Sequence, residues 1–501
     1  MNPLVSFLLK KRLQQIDLFR AHPRLAQLEM FHALVQSAKY TEWGRKYDYA
    51  SITHPDQFRQ RVPLQDYEDV KPFVERLRKG EQNLLWPTDM RWFAKSSGTT
   101  SDRSKFIPVS REALEDCHYK GGKDLIAFHY EQFPESKLYQ GMSLVVGGSS
   151  TIEQFRPDAY TGDLSAIIIR NLPLWVEVRR TPVIETALLD NWEVKIEQMA
   201  KETMREDVRC IAGVPSWTLV LLRRILELSG KQNILEVWPN LELFMHGGVS
   251  FRPYRAQFEA LIPSPTMNYL ESYNASEGSF AIQDRYGADD MLLMLDYGIF
   301  YEFIPMDELG KEHPHTVLLS EVKVGQSYAI VISTNAGLWR YMPGDTVRFT
   351  SVRPHRVQVS GRTKSFINAF GEELVVENAD RGIEAACNAT GAIVSEYTAA
   401  PIYMETEARG GHEWVIEFET APDDLDTFTK VLDRKMRSLN SDYDAKRRGD
   451  MALRPPLVHN VPPGTFYAWM KHRGKLGGQN KVPRLCNDRE ILEGLLLPVE
   501  N

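Results

Sequence analysis

The stretch FAKSSGTTSDRSKFIPVS, Phe93 to Ser110, crowds hydroxyl side chains around Gly98 and then sets Lys105 before an apolar, strand-like run. Hydroxyls of Ser96, Ser97, Thr99 and Thr100, with the loop's N–H groups, can donate to phosphate oxygens. Gly98 lets the backbone come close, and Lys105 adds a mobile positive charge. The Walker A pattern GxxxxGK[ST] is absent, so any phosphate grip here is of another kind. A polar surface turn has the same composition. The surrounding chain has to decide between the two.

Working outward, RWFAK (91–95) reads as a short strand entering this loop, and Ser110 with Glu112 behind it caps a helix through about Tyr130. MSLVVGG (142–148) is a buried strand ending in a glycine pair. Trp192, Ile196 and Met199 form one face of a helix. VRCIAGVP (208–215) is a strand turning at Gly213, and Pro215 opens a helix, Ser216–Leu228, that stops at Gly230. LELFMHGG (241–248) repeats the strand-to-glycine arrangement. Strands alternating with helices mean an α/β core. Residues 1 to about 90 read as mostly helical. Between about 291 and 360 the helices vanish, and LLMLDYGIFYEFI, SYAIVIST, GLWRYM and DTVRFTSV read as strands of a β-rich subdomain. After about 362 a helix (374–388), strands near 392–404 and 413–419, and a helix (423–439) form a compact α+β unit. The expected domains are therefore 1–361 and 362–501.

The chain has 501 residues, 43% hydrophobic and 25% charged, enough for two cores. Its formal net charge of −7 provides no overall basic field for a nucleic-acid backbone. Cys117, Cys210, Cys387 and Cys486 are scattered, without CxxC spacing or a disulfide framework. No stretch approaches the roughly 20 apolar residues of a membrane span, and the basic residues follow the first apolar run rather than preceding it. The expectation is a soluble, cytoplasmic protein with an amphipathic first helix and no obligatory protein partner.

Three further segments carry chemistry. SYNASEGSF (272–280) fixes Tyr273, Ser276 and Glu277 within five residues. A ring can stack on a purine, a hydroxyl can bond a phosphate oxygen, and a carboxylate can hold Mg2+, a hard oxygen-seeking ion. WRYMPGD (339–345) presents Asp345 after a Pro-Gly turn, where a carboxylate can accept both ribose hydroxyls. GRTKSFINAFGEEL (361–374) puts Arg362 where one domain gives way to the next. Solvated loop residues are the plain alternative for each segment taken alone.

Their order is the stronger signal. The segments SSGTTSDRSKFIP, YNASEG, RYMPGD, GRTKSFINAFGEEL and GGQNKVPRL, with KYTEWGRKYDY near the N-terminus, resemble the acyl-adenylate-forming enzymes. Within that superfamily the chain is similar to the auxin-responsive GH-three family of acyl-acid amido synthetases, and looks closest to its shorter bacterial-type branch. The resemblance implies an α/β fold with a large N-terminal adenylate-forming domain and a small mobile α+β C-terminal domain. It also implies ATP and Mg2+, with a small carboxylic acid and an amino acid as substrates. By the same resemblance Ser96, Ser97, Thr99 and Lys105 would touch the triphosphate. Gly247, Gly248 and Val249 would line the adenine, with Tyr273 against its face. Ser276 would bond the α-phosphate, Glu277 would hold Mg2+, Asp345 would take the ribose, Arg362 would lie at the hinge, and Lys481 would be the mobile lysine. Asp102 stands where the family loop often has a second glycine. Glu372 and Glu373 stand where the plant branch tends to be basic.

The implied chemistry is adenylation of the acid with loss of pyrophosphate, followed by attack of an amine with loss of AMP. His118, His129 and His246 are candidate bases for the amine. Val214, Trp217, Leu172, Leu174 and Trp175 are candidate linings for an apolar acid pocket, or simply core. A coenzyme A or carrier-thiol ligase would share every adenylation residue, and a catalytically silent nucleotide-binding protein is the alternative of another class.

Overall fold

The structure is a computed structural model. It describes residues 3–96, 105–147, 152–189, 191–248, 251, 254–363, 366–367, 372, 374–402, 410–440, 443–444, 447, 453–476, 481–486 and 489–497. The chain divides into two compact units. The first comprises residues 1–249 and 262–358, the second 250–261 and 359–501.

In the first unit the strands are β1 (Trp92–Ser96), β2 (Lys105–Val109), β3 (Met142–Val146), β4 (Glu153–Arg156), β5 (Ala159–Gly162), β6 (Arg180–Thr181), β7 (Val208–Gly213), β8 (Leu243–Gly247), β9 (Asn268–Ala275), β10 (Gly278–Ile282), β11 (Met291–Leu293), β12 (Ile299–Pro305), β13 (Val317–Leu318), β14 (Ser327–Thr334) and β15 (Asp345–Val352). Strand β16 (His355–Arg362) runs out of it. A small sheet has the order β2-β1-β5-β4. The large one has the order β13-β12-β14-β15-β16-β11-β10-β9-β8-β7-β3-β6. From β6 through β9 neighbouring strands are parallel, and from β9 to β10 and β11 they are antiparallel. Parallel strands need crossovers, and the helix Pro215–Ser229 supplies one between β7 and β8. Pro215 occupies its first turn and Gly230, at φ +66°, ends it. Leu221, Leu222 and Ile225 bury its inner face.

Most elements lie where the periodicity places them, and four differ. The run LLMLDYGIFYEFI is two strands, β11 and β12, because Gly298 takes φ +71° between them. GLWRYM is not a strand. Arg340 has a left-handed φ of 45°, and only Tyr341 makes isolated bridges, to Ile332 and Gln65. The helix after Ser110 has a π-helical turn over Leu114–His118 before continuing to Gln132, with Cys117 and His118 buried by it. The β-rich strands extend the same sheet as the parallel ones.

The second unit pairs β19 (Ile393–Ile402) with β20 (Gly411–Thr420) antiparallel and β20 with β21 (Leu457–Val461) parallel. A short ladder of β17 (Phe366–Ile367) and β18 (Leu374–Val375) precedes them. Helices Val376–Thr390 and Leu425–Leu439 bury Ile383, Ala386, Phe428, Leu432 and Met436 against Val394, Trp414 and Ile416. The segment around 250–261 packs here as well. Gln257 donates to the Val394 carbonyl (3.1 Å), and the Tyr254 hydroxyl accepts from Arg484 (2.9 Å).

A buried charge cluster fastens the first helix, Pro3–Ala21, to the large sheet's unit. Arg12 Nη2 meets Asp124 Oδ2 at 2.6 Å and its Nη1 meets Asp296 Oδ2 at 2.5 Å. Lys120 adds a bond to Asp296, and the Tyr297 hydroxyl donates to Asp124 at 2.7 Å. Burial works against the charged Arg12, but both carboxylates more than reverse that and raise its pKa. Asp124→Ala takes one of the two carboxylates from Arg12 and the acceptor from the buried Tyr297 hydroxyl, so we expect a loss of ~3–5 kcal/mol, read as a lower urea midpoint at unchanged slope. Burial also depresses the His118 imidazole to about 4. The unfolded chain, with an ordinary value near ~6.5, takes up that proton first. Stability should therefore be full above about pH 6.5 and fall as pH drops toward about 4. His118→Gln should flatten that part of a pH series of unfolding midpoints.

Candidate active site

The carboxyl ends of the central parallel strands stop at one level. Val146 pairs with Gly213, Gly213 with His246, and Gly247 with Ser272. In open α/β sheets ligands collect outside this edge, where neighbouring strands diverge. Here the divergence is at β9, the last parallel strand and the first antiparallel one. Gly247 is required by close approach, since a Cβ there would lie 2.4 Å from the Ser272 carbonyl oxygen. Gly248 follows with φ +84°.

Strand β9 extends beyond its apolar start and turns through two residues, Ser276 and Glu277, into β10, with Ala275 opposite Gly278. The motif is thus a hairpin tip rather than an open loop. Ser276 is buried and Glu277 half-buried. Gly278 lets this tip settle on β12, because a Cβ there would meet the Ile299 side chain at 2.8 Å. Tyr273 is buried on β9, its ring tilted against Phe280 at 4.8 Å. Its hydroxyl donates to Asp345 Oδ2 at 2.8 Å, which joins two of the sequence-selected residues directly.

Strands β1 and β2 bring Ser96 opposite Lys105 at the mouth of the hydroxyl loop. Lys105 Nζ lies 5.5 Å from the centre of the Tyr67 ring, an attractive cation–π placement. The Tyr67 hydroxyl accepts from the Phe106 N–H at 2.8 Å. Beside Tyr67, Gln65 forms main-chain bonds with Arg340 and Met342, which carries Tyr341 into the same place. Burial, then Glu277, Tyr67, Asp66 and Asp345, hold the Tyr341 phenol far above its ordinary pKa. Tyr341 is fully buried, and its Oη has no acceptor among the described residues. Such an unpaired hydroxyl costs ~1–3 kcal/mol. Arg340 holds the turn. Its guanidinium makes two bonds to the buried Glu302 carboxylate (3.0 and 2.9 Å), one to Thr316 (3.0 Å), and two to the carbonyls of Arg59 and Val62 (2.9 and 2.7 Å).

At the β3 end a second polar feature appears. Lys195 is completely buried, and its Nζ donates to the carbonyls of Ala187 (2.6 Å) and Gly147 (3.3 Å). Burial lowers its ammonium to about 8, against the pull of Asp163. Trp217 packs edge-on to Trp192 at 4.7 Å. Val214 caps the same helix and is half-buried, Leu172 is half-buried, and Leu174 is 79% exposed.

The sequence matches the N-terminal domain model of the GH3 family over residues 12–267, its central domain over 292–362 and its C-terminal domain over 377–490. The chain belongs to the GH3 family. It is 24% identical to an indole-3-acetic acid-amido synthetase, GH3.3 of Arabidopsis thaliana, over 96% of this chain and 93% of that one. It is also 24% identical to a 4-substituted benzoates-glutamate ligase, GH3.12 of the same plant, over 87% and 88%. A solved AtGH3.15 acyl acid amido synthetase in complex with 2,4-DB has the same fold. Its TM-score is 0.80 at 17% identity, covering 97% of this chain and 96% of that one.

In this GH3 chain, then, Gly247, Gly248, Tyr273, Ser276, Glu277, Asp345 and Lys105 all belong to the first unit. Of these, Tyr273 and Asp345 are joined directly, and Glu277 and Asp345 act together on Tyr341. Arg362 ends β16 in the second unit. Lys481 also lies there, just before a segment whose Arg484 carbonyl and Cys486 N–H bond Ala399 of β19. Ser97, Gly98, Thr99, Thr100 and Val249, and the side chains of Ser96 and Trp175, lie outside the described residues. Among the candidate bases, His118 is buried, His246 is buried one residue before Gly247, and His129 bonds Tyr286 and Ser136. Sequence reasoning missed Tyr67, Arg340, Tyr341 and Lys195. Only Arg340 and Tyr341 had a signal, being inside the quoted WRYMPGD. No three His, Cys, Asp or Glu side chains gather as a metal cage among the described residues. Mg2+ does not need one, since one or two carboxylates with substrate phosphates suffice, and the half-buried Glu277 carboxylate at the hairpin tip is of that kind. Gly247→Ala should cost ~1–3 kcal/mol through the clash with Ser272 and remove any thermal shift seen on adding ATP. Gly122→Ala, on an open helix face, should leave that shift intact.

Proposed function

We propose that this protein is an ATP-dependent acyl-acid amido synthetase that adenylates a small organic acid and transfers the acyl group to an amino acid. The observation that carries the reading is the gathering of Tyr273, Asp345, Glu277, Tyr341 and Lys105 beyond the carboxyl ends of β8 and β9. Membership of the GH3 family and the names of the two plant relatives support it.

A carboxylate resists nucleophiles because of its charge and its poor leaving group. A mixed anhydride with AMP removes both obstacles. One acid oxygen attacks the α-phosphorus in line and pyrophosphate leaves, so the protein's work is positioning and charge compensation. Gly247 and Gly248 clear space for the adenine beside Tyr273, with Val249 next in the chain. Asp345 holds the ribose, oriented by the Tyr273 hydroxyl. Lys105 and the hydroxyl loop, Ser96 to Thr100, attend the departing phosphates, and Ser276 bonds the α-phosphate. Glu277 would hold Mg2+, which supplies positive charge to the phosphate oxygens. Lys481, on the small domain, approaches the reacting centre, and the domain turns about Arg362 between half-reactions. Residues 1–361 thus activate the acid, and 362–501 bring the lysine. The acid's apolar end lies toward Val214, Trp217, Leu172, Leu174 and Trp175. Four free cysteines suit a reducing, cytoplasmic setting. Among the described residues no helix is long and apolar enough to cross a membrane.

The test is acid-dependent ATP–pyrophosphate exchange with a panel of indole, aryl and aliphatic acids, followed by product mass with amino acids or coenzyme A. We expect exchange with at least one acid and an amide product. Glu277→Ala and Lys105→Ala should each lower exchange ~10²–10³-fold. A thioester product would reassign the acceptor, and no exchange with any acid would end the reading.

A further inference from the structure

We propose that the Tyr341 phenol donates a hydrogen bond to a phosphate oxygen of the bound nucleotide. The inference rests on the nucleotide-site reading above and adds a contact to it.

Tyr341 has no freedom to seek a partner elsewhere. Its N–H and carbonyl both bond Ile332 of β14 (2.8 and 2.9 Å), and the flanking main chain bonds Gln65 on the other side (3.0 and 2.9 Å). The preceding Arg340 is locked by Glu302 in a left-handed conformation. A residue kept at such a backbone angle persists only where its surroundings over-determine it. The ring is fully buried, yet its hydroxyl meets no acceptor among the described residues. Buried hydroxyls are normally paired, so the acceptor this one is built for arrives with a ligand.

The neighbours say which part of the ligand. Tyr67 and Asp66 follow Gln65 directly, and Lys105 lies over the Tyr67 ring. The hairpin tip bearing Glu277 rests on Ile299, which pairs with Thr334 at the end of β14. The main-chain bonds from Gln65 thus set Tyr341 beside the segment that carries Tyr67, whose ring Lys105 faces, on the side of the hydroxyl loop where phosphates would lie, whereas Asp345 is already bonded by Tyr273. The phenol remains a neutral donor at ordinary pH, suited to an anionic oxygen.

The experiment compares wild type with Tyr341→Phe by calorimetric Kd for ATP with Mg2+, for AMP and for adenosine, together with the Tm of each ligand-free protein. The expected result is binding of AMP and ATP weakened ~10- to 100-fold, as for loss of a hydrogen bond to a charged acceptor. Adenosine should change by less than about twofold, and the ligand-free Tm should be unchanged or higher, since the hydroxyl has no partner to lose among the described residues. Unchanged AMP affinity overturns the proposal. So does adenosine weakened as much as AMP, which would mean a ribose contact. A ligand-free variant that is several degrees less stable, or unfolded, overturns it too, because the hydroxyl would then serve the fold. If wild type exchanges pyrophosphate while the variant binds AMP normally, only this contact falls. If the variant loses AMP affinity but wild type shows no acid-dependent exchange, the contact stands and the adenylation reading falls. A wild type that binds neither AMP nor ATP ends both.

Discussion

A guanidinium enclosed with a carboxylate governs the geometry of this molecule's candidate site. Arg340 and Glu302 are both almost completely removed from water. Either charge alone would be very costly in that place, so the pair acts as one unit and tolerates little displacement. Arg340 spends its remaining donors on Thr316 and on the carbonyls of Arg59 and Val62, which ties the N-terminal helical region to the turn that follows β14. The left-handed backbone at Arg340 is maintained by those bonds. Tyr341 and Asp345 follow within five residues, so their positions are consequences of that anchorage.

The other organising constraint is the change of strand direction at β9. On one side lie parallel strands with helical crossovers, on the other an antiparallel meander. The two kinds of connection leave the carboxyl edge of β8 and β9 uncovered by crossover helices on the antiparallel side. Glycines at 247 and 278 allow backbone and side chains to close up around that edge, and each would collide with a neighbour if it carried a Cβ. Under the proposed function, the same absence of side chains that lets strands approach would also leave room for a flat base.

Much of this was legible from residues alone. The helix Pro215–Ser229 was marked by its proline and glycine ends, the helix Trp192–Thr203 by its buried face, and the strands ending in glycine pairs by their apolar runs. What escaped had physical reasons. GLWRYM alternates like a strand, but the Arg340–Glu302 pair and the Trp339 bond to the Leu85 carbonyl impose a different path, and no local pattern records those distant partners. The run ending at Ile304 looked continuous because a single glycine carries the interruption. Tyr67 and Lys195 matter through what packs around them, and neither sits in a recognisable motif. The segment 250–261 belongs with the C-terminal unit although it lies between two strands of the first. Sequence order does not reveal such an exchange.

The amino-acid sequence by itself determined the alternation of strands and helices, the glycine stops, the family-like order of hydroxyl loop, hairpin carboxylate and turn aspartate, and hence the class of chemistry. These are local properties, set by side-chain period, backbone freedom and residue type. The tertiary structure alone decided that Tyr273 bonds Asp345, that Glu277 forms a hairpin tip, and that Tyr341 is held fully buried with its hydroxyl unpaired among the described residues. Those outcomes depend on partners up to several hundred residues away, whose pairing is chosen by burial and charge compensation rather than by any neighbour along the chain.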